Sequence, residues 1–239
     1  AARLGWQGAF LVLGVLNLLA AGGVWMLLPS SQHFVREQSI ASSLRAALVH
    51  LRNPRLLAGY VVGFNILFSI VGVFTYVNFH LAAPPFRLGT VALGSIFFVY
   101  LAGAIVTPVA GRWLDRLGTR AVLAVAMLLA SAGVLLTLIS SLAAVLSGLA
   151  LCAAGIFVCQ SAANSYVATS AGRARSGAAG IYVAVYYLGG TVGATAPGFA
   201  FRSGGWLGCV TLIVAVQWIT AGLALWFWRP PPAALSSVG

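Results

Sequence analysis

Lysine is absent from this 239-residue chain, and acidic residues are nearly so: Glu37 and Asp115 are the only two. Charged residues of all kinds make up 6% of it, against roughly a quarter in a soluble domain, whose surface has to face water. That is too little charge to clothe a globule of this size, so a water-soluble enzyme is excluded. Without lysine there is no retinal-type Schiff base. With one aspartate there is no intramembrane aspartyl protease, which needs two acids within the bilayer. No H-E-x-x-H run is present, and His33, His50 and His80 lie far apart in or beside loops, so zinc proteolysis lacks its donors. No span combines serine and histidine in the manner of a serine intramembrane protease. The three cysteines, Cys152, Cys159 and Cys209, fall inside apolar runs and read as small apolar residues, not as a disulfide or metal framework. No cofactor is expected, and the chain reads as not an enzyme.

Hydrophobic residues make up 61% of the chain, and all thirteen basic side chains are arginine. The arginines are scattered between long apolar runs and form no single face, so no nucleic-acid partner is expected. The pattern is that of an all-α polytopic membrane protein whose first partner is the lipid bilayer. A helical span needs about 20 mainly apolar residues. The uncharged stretch from Ala121 to Gly172 is far longer than one span and must fold back, with Ser140-Ser141 as the natural turn. The same reasoning predicts seven spans: Ala9–Leu28, Leu56–Phe79, Thr90–Gly111, Ala121–Ile139, Leu142–Ser170, Gly177–Phe201 and Gly205–Trp228. Alternate connections then divide the arginines unevenly. One side holds ten of the thirteen, and the other holds only Arg3, Arg87 and Arg202. Positive charge stays in the cytoplasm, so the N-terminus is expected outside and the C-terminus inside. Six of the seven tryptophans fall near span ends, where an amphipathic ring sits at headgroup level; Trp218 is mid-span.

The chain starts on alanine, with a short stub before a first span too long for an ordinary signal peptide. It therefore reads as a piece lacking its true beginning. In the connection from Pro29 to Arg55, Ile40, Leu44, Leu48 and Leu51 recur at helical spacing, which suggests a short helix lying on the headgroups; a solvated linker is the plainer reading.

Between the third and fourth spans lies Gly111-Arg112-Trp113-Leu114-Asp115-Arg116-Leu117-Gly118-Thr119-Arg120. It packs one of the two acids and three arginines between glycines that allow a sharp turn. The carboxylate there could pair with an arginine and sit at the start of a neighbouring helix. This segment resembles the G-x-L-a-D-r-x-G-r-r signature of the major facilitator superfamily (MFS) of secondary transporters. Gly111, Asp115, Arg116, Gly118 and Arg120 match it; Trp113, Leu114 and Thr119 depart from it. Trp6-Gln-Gly-Ala-Phe10 is similar to the start of the family's sixth helix. Phe79–Phe86, Asn164-Ser-Tyr166 and Tyr186–Gly190 resemble the bacterial YnfM-like branch of arabinose efflux permeases.

The resemblance implies helix six plus the C-terminal six-helix bundle of a twelve-helix MFS fold. Residues 1–28 would be the last helix of the first half, 29–55 the cytoplasmic inter-half loop, 56–228 the second bundle and 229–239 a cytoplasmic tail. It further implies a bacterial inner-membrane location, a missing N-terminal half as partner, and alternating access to a small-molecule substrate such as a sugar or drug-like solute. Efflux by proton antiport is favoured. Gly111, Asp115, Arg116, Gly118 and Arg120 would form a cytoplasmic gate.

The helices expected to face the central cavity carry polar residues at helical spacing: Asn65, Ser69 and Tyr76; Gln160 and Asn164; Tyr182 and Tyr186. Each is either a helix-packing group or a substrate contact. Ala121–Ile139, nearly all aliphatic, is expected against lipid. Gly189, Gly193 and Pro197 suggest close helix packing and a bend. No acid lies within any span, so a carboxylate proton carrier would have to lie elsewhere in the protein. A seven-helix non-transporting receptor or scaffold, or a decayed half-transporter, is the alternative; the receptor or scaffold leaves the Gly111–Arg120 motif unexplained.

Overall fold

A computed structural model of the chain describes residues 5–27, 51–171 and 175–228. The suggested helix carrying Ile40, Leu44 and Leu48 lies outside the described residues. Those described are helical, with no strand among them. They form α1 (Gly5–Leu27), α2 (Pro54–Ala82), the short α3 (Thr90–Ser95), one 3-10 turn (Ile96–Val99), α4 (Tyr100–Leu136), α5 (Leu142–Ser170) and α6 (Arg175–Phe227). Five described stretches are long and apolar enough to cross a membrane: Phe10–Leu27, Pro54–Ala82, Thr90–Leu136, Leu142–Ser170 and Ser176–Phe227. The chain divides into two compact units, residues 1–39 and 40–239. In the first, α1 is a wholly apolar rod apart from Gln7 and Asn17, and Asn17 returns its amide to the carbonyl of Leu13 at 2.9 Å.

Helix boundaries in the second unit follow local chemistry. Asn53 caps α2 by accepting from the backbone N–H of Arg55 at 3.0 Å, and Pro54 supplies the preset φ of a first helical residue. The turn at Ser140-Ser141 separates α4 from α5. Two residues inside the longest helices leave helical geometry. Gly118 has φ 77° and ψ 155°, and Gly205 has φ 59° and ψ −148°. Both conformations are close to a region that only glycine occupies readily.

At each break the chain doubles back. Gly103 lies against Phe157, whereas Gly155 lies against Ala126 and Ala130. Gly103 and Ala126 would stand about 35 Å apart on a straight helix, yet Gly155 and Phe157 are only about 3 Å apart along α5. The arms of α4 on either side of Gly118 must therefore pack side by side on α5. Likewise, the Cys209 thiol donates to the Pro197 carbonyl at 3.1 Å, and Gly208 lies on the Ala200 carbonyl. Helix continues through Arg112–Leu117, so the connection expected there contracts to the single glycine whose backbone must turn.

Asn53, Gly118, Ser170 and Trp228 meet at one end of the bundle; His80, Thr137 and Trp206 meet at the other, where the indole of Trp206 donates to Thr137 Oγ1 at 3.0 Å and stacks on His80 at 5.5 Å. In between, α2 is the central element. Val62, Val73 and Val77 on it are fully buried.

Packing is close because small residues let backbones touch. Gly189 and Gly193 of α6 lie directly on the carbonyls of Phe64 and Phe68 of α2, and Pro197 sits over Gly72. A second close pair joins α4 and α5: a Cβ on Gly133 would stand 2.5 Å from the Gly148 carbonyl oxygen, and one on Gly155 would stand 2.6 Å from that of Ala126. The 119–136 arm thus turns its small residues onto α5, while Val125, Leu128, Leu129 and Leu135 face outward, as an aliphatic lipid-contacting helix does.

Candidate functional site

The polar residues of α2 enter two different environments. Asn65 and Ser69, four residues apart on one face, are buried. Ser69 Oγ donates to Asn65 Oδ1 at 3.1 Å, and Gln217 Nε2 donates to Ser69 Oγ at 3.3 Å. Ser131 Oγ then donates to Gln217 Oε1 at 2.7 Å, while the Asn65 amide reaches Met127 Sδ at 3.6 Å. These four polar side chains, all 3% exposed or less, join α2, the second arm of α4 and the second arm of α6. In an apolar surrounding each donor and acceptor needs a partner, and here the groups satisfy one another. Tyr76, two turns beyond Ser69, instead donates its hydroxyl to the Ala194 carbonyl at 2.7 Å, beside Phe79 and Phe201.

A separate cluster joins α5 to the first arm of α6. Gln160 Nε2 donates to the Tyr182 hydroxyl at 3.1 Å and to Asn164 Oδ1 at 3.3 Å. Tyr182 is buried with its ring seated on Gly63 of α2, where a Cβ would meet it at 2.5 Å. Tyr186 stacks on Tyr182 at 6.2 Å. Asn164 is exposed, Tyr186 and Gln160 are half-buried, and Gln160 Oε1 is a buried acceptor without a partner among the described residues. Gln160, Asn164, Tyr182 and Tyr186 are thus brought together, an uncharged polar group with an aromatic wall. Tyr76 is not part of it: Gly63 and Tyr76 are separated by about 20 Å along α2. Tyr100 of α4, which stacks on Phe74 at 4.3 Å and tilts against Phe157 at 6.3 Å, continues the aromatic wall across a third helix.

Gly189, Gly193 and Pro197 lie on the α2 contact described above. The motif residues lie at the other helix surface. Gly111, Asp115, Arg116 and Arg120 are exposed on α4, and Gly118 is its turning point. Asp115 makes no ion pair with Arg116, Arg120 or any other described residue, so the carboxylate is available to a group outside them.

A family model described as Major Facilitator Superfamily matches residues 78–238, from the end of α2 through the last helix. The chain belongs to the Major Facilitator Superfamily. It is a multi-pass membrane protein of a family of transporters, which are not enzymes. It is 31% identical over 226 residues to "Uncharacterized MFS-type transporter YybF" of Bacillus subtilis, covering 92% of this chain and 56% of that protein. It is 30% identical over 220 residues to "Inner membrane transport protein YnfM" of Escherichia coli, covering 90% and 52%. An "Uncharacterized transporter" of Buchnera aphidicola from Schizaphis graminum is 29% identical over 212 residues, covering 88% and 51%. The chain spans about half the length of the curated relatives it matches.

Within this MFS chain, Ser131, Gln217 and Tyr100 were not singled out from sequence. A signal for the first two existed. Each is an isolated polar residue in an apolar arm, and such residues turn inward to find partners. Tyr100 carried no comparable signal, because a lone tyrosine in a span reads as well as an interface anchor.

Proposed function

We propose that this chain supplies the second half of a secondary active transporter working by alternating access, with the Gln160–Asn164–Tyr182–Tyr186 cluster as its share of the solute path. The cluster carries the reading. Its groups are uncharged, it combines amide donors and acceptors with aromatic rings, and Asn164 and Tyr186 reach its open side. That chemistry suits a small neutral organic solute, sugar or drug-like, better than an ion. The buried Asn65–Ser69–Gln217–Ser131 chain is read as a brace, because its groups are already satisfied.

Seven crossings follow if the arms flanking Gly118 and Gly205 each span the bilayer, giving residues 1–28 to the last helix of a first half, 29–55 to a loop between halves, 56–228 to the second bundle and 229–239 to a tail. Arg52, Arg55, Arg112, Arg116 and Arg120 gather at the Asn53–Gly118 end, and Arg87 and Arg202 lie toward the other. That imbalance supports a cytoplasmic Gly118 end, an external N-terminus and a cytoplasmic C-terminus in a bacterial inner membrane. Outward transport in exchange for protons is the direction this reading favours. The proton-carrying acid would lie outside the spans of this chain. Asp115, at the cytoplasmic end and without an ion pair among the described residues, would latch the gate against the opposite half.

The test is solute counterflow by the whole transporter in proteoliposomes, screened over neutral sugars and amphiphilic drugs. Gln160→Leu and Tyr182→Phe should each lower flux at least tenfold while the protein still inserts and folds. Wild-type flux from both variants would reject the site.

A further inference from the structure

We propose that the Gly118 end of the bundle is a site for an anionic phospholipid, with the phosphate held between Arg55 and Arg120 and one acyl chain lying along the groove between the second arms of α4 and α6. The inference goes beyond the transport reading and needs only that this end meets a membrane surface.

Three observations carry it. A cavity of about 930 Å³ opens among the start of α2, the Gly118 turn, and the ends of α5 and α6. Arg55, Arg120, Thr169 and Ser170 line it, together with an aromatic shelf in which Tyr166 stacks on Trp228 at 4.0 Å. No carboxylate among the described residues lines it. Neither arginine makes an ion pair with a described residue, so two positive charges face one concavity without a counter-ion among those residues. A guanidinium is the side chain best shaped to grip phosphate oxygens in pairs.

The third observation selects a lipid over a free anion. A second, smaller hollow of about 110 Å³ lies along the same seam, walled by Met127, Leu128, Trp218 and Ala221, with the already hydrogen-bonded Ser131 and Gln217 at its back. Both hollows share Ala124 and Leu225, so the basic cavity runs on into an almost wholly apolar groove. Leu128 and Trp218 are half-exposed on the surface that meets lipid. A charged head above and an apolar channel below match the two parts of a phospholipid. Basic pockets between helices at a membrane surface bind such headgroups for this reason. Inorganic phosphate would use the head of this site and leave the groove empty.

The experiment is native mass spectrometry of the protein released from nanodiscs holding equal amounts of phosphatidylglycerol and phosphatidylcholine. Wild type should retain phosphatidylglycerol preferentially. Arg120→Gln and Arg55→Gln should each lower that retention about fivefold, the effect of roughly 1 kcal/mol per arginine near a charged lipid surface. Arg112→Gln, on the same end but outside the cavity, should leave it unchanged. Ala221→Leu, which fills the groove without touching charge, should lower lipid retention and leave competition by inorganic phosphate unaltered. Three results would each overturn the proposal: equal retention of both lipids, an Arg112→Gln loss as large as that of Arg120→Gln, or a site emptied by inorganic phosphate and indifferent to Ala221→Leu. The first means no selective site, the second diffuse surface attraction, and the third a free-anion site.

Discussion

Replacing Gln217 by leucine tests whether the buried polar chain holds the bundle together. Gln217 accepts from Ser131 at 2.7 Å and donates to Ser69 at 3.3 Å, linking three helical segments far apart in sequence. Leucine is similar in bulk, so the cavity left behind is small and the change reports mainly on the two hydrogen bonds. Interhelical hydrogen bonds in membrane proteins average about 0.6 kcal/mol and reach about 1.7. The short bond belongs near the upper figure and the long one near the average, which gives a loss of about 2 kcal/mol, or roughly thirtyfold in the folding equilibrium. Reversible unfolding in mixed detergent–SDS micelles, followed by far-ultraviolet circular dichroism, measures it. The same assay on Ser131→Ala and on the double variant should return a coupling of about 1.7 kcal/mol, because the two changes remove the same short bond. A Gln217→Leu protein as stable as wild type, or strictly additive single effects, would refute the brace.

The other predictions follow from particular contacts. Gly193→Leu should abolish folding or transport, because any side chain there strikes the Phe68 backbone; a variant that keeps both would disprove the close α2–α6 contact. Gly118→Ala should destabilise the protein by about 1–3 kcal/mol in the same micelle assay, since φ 77° with ψ 155° suits glycine, while Gly111→Ala, in regular helix with open space around it, should be neutral or stabilise by up to about 1 kcal/mol. Asp115→Asn should slow transport at least tenfold with insertion intact, and unchanged flux in the whole transporter would remove Asp115 from the gate.

Much of the helical pattern was legible because the bilayer imposes a length and a polarity on every span. α5 was predicted at Leu142–Ser170 and is found there, since Ser140-Ser141 offers turn residues inside an otherwise unbroken apolar run. The connection at Gly111–Arg120 was less legible. Two glycines flank the motif and look equivalent in sequence, yet only Gly118 takes a positive φ, so the helix runs six residues further than composition suggests. The spacing of Asn65 and Ser69 put them on one face, but nothing local names Gln217, 148 residues beyond Ser69, as their partner. The pair Gln160 and Asn164 was readable as one face for the same reason, and its meeting with Tyr182 required knowing that α6 packs back on α5. The basic cavity was not readable at all. Arg55 and Arg120 entered the sequence argument only as counts on one side of the membrane, and the fold that brings them to one hollow comes from four chain segments.

If the Gln160–Tyr182 cluster lines the solute path, that path opens to each side of the membrane in turn. Asn164→Cys in the whole transporter, labelled by a membrane-impermeant maleimide in right-side-out and in inside-out vesicles, tests it most directly. The native Cys152, Cys159 and Cys209 are buried and should stay silent. Alternating access should give labelling at Asn164→Cys from both sides, and none from either side at Val125→Cys on the lipid-facing surface. Labelling of Asn164→Cys from one side only, or from neither, would contradict it.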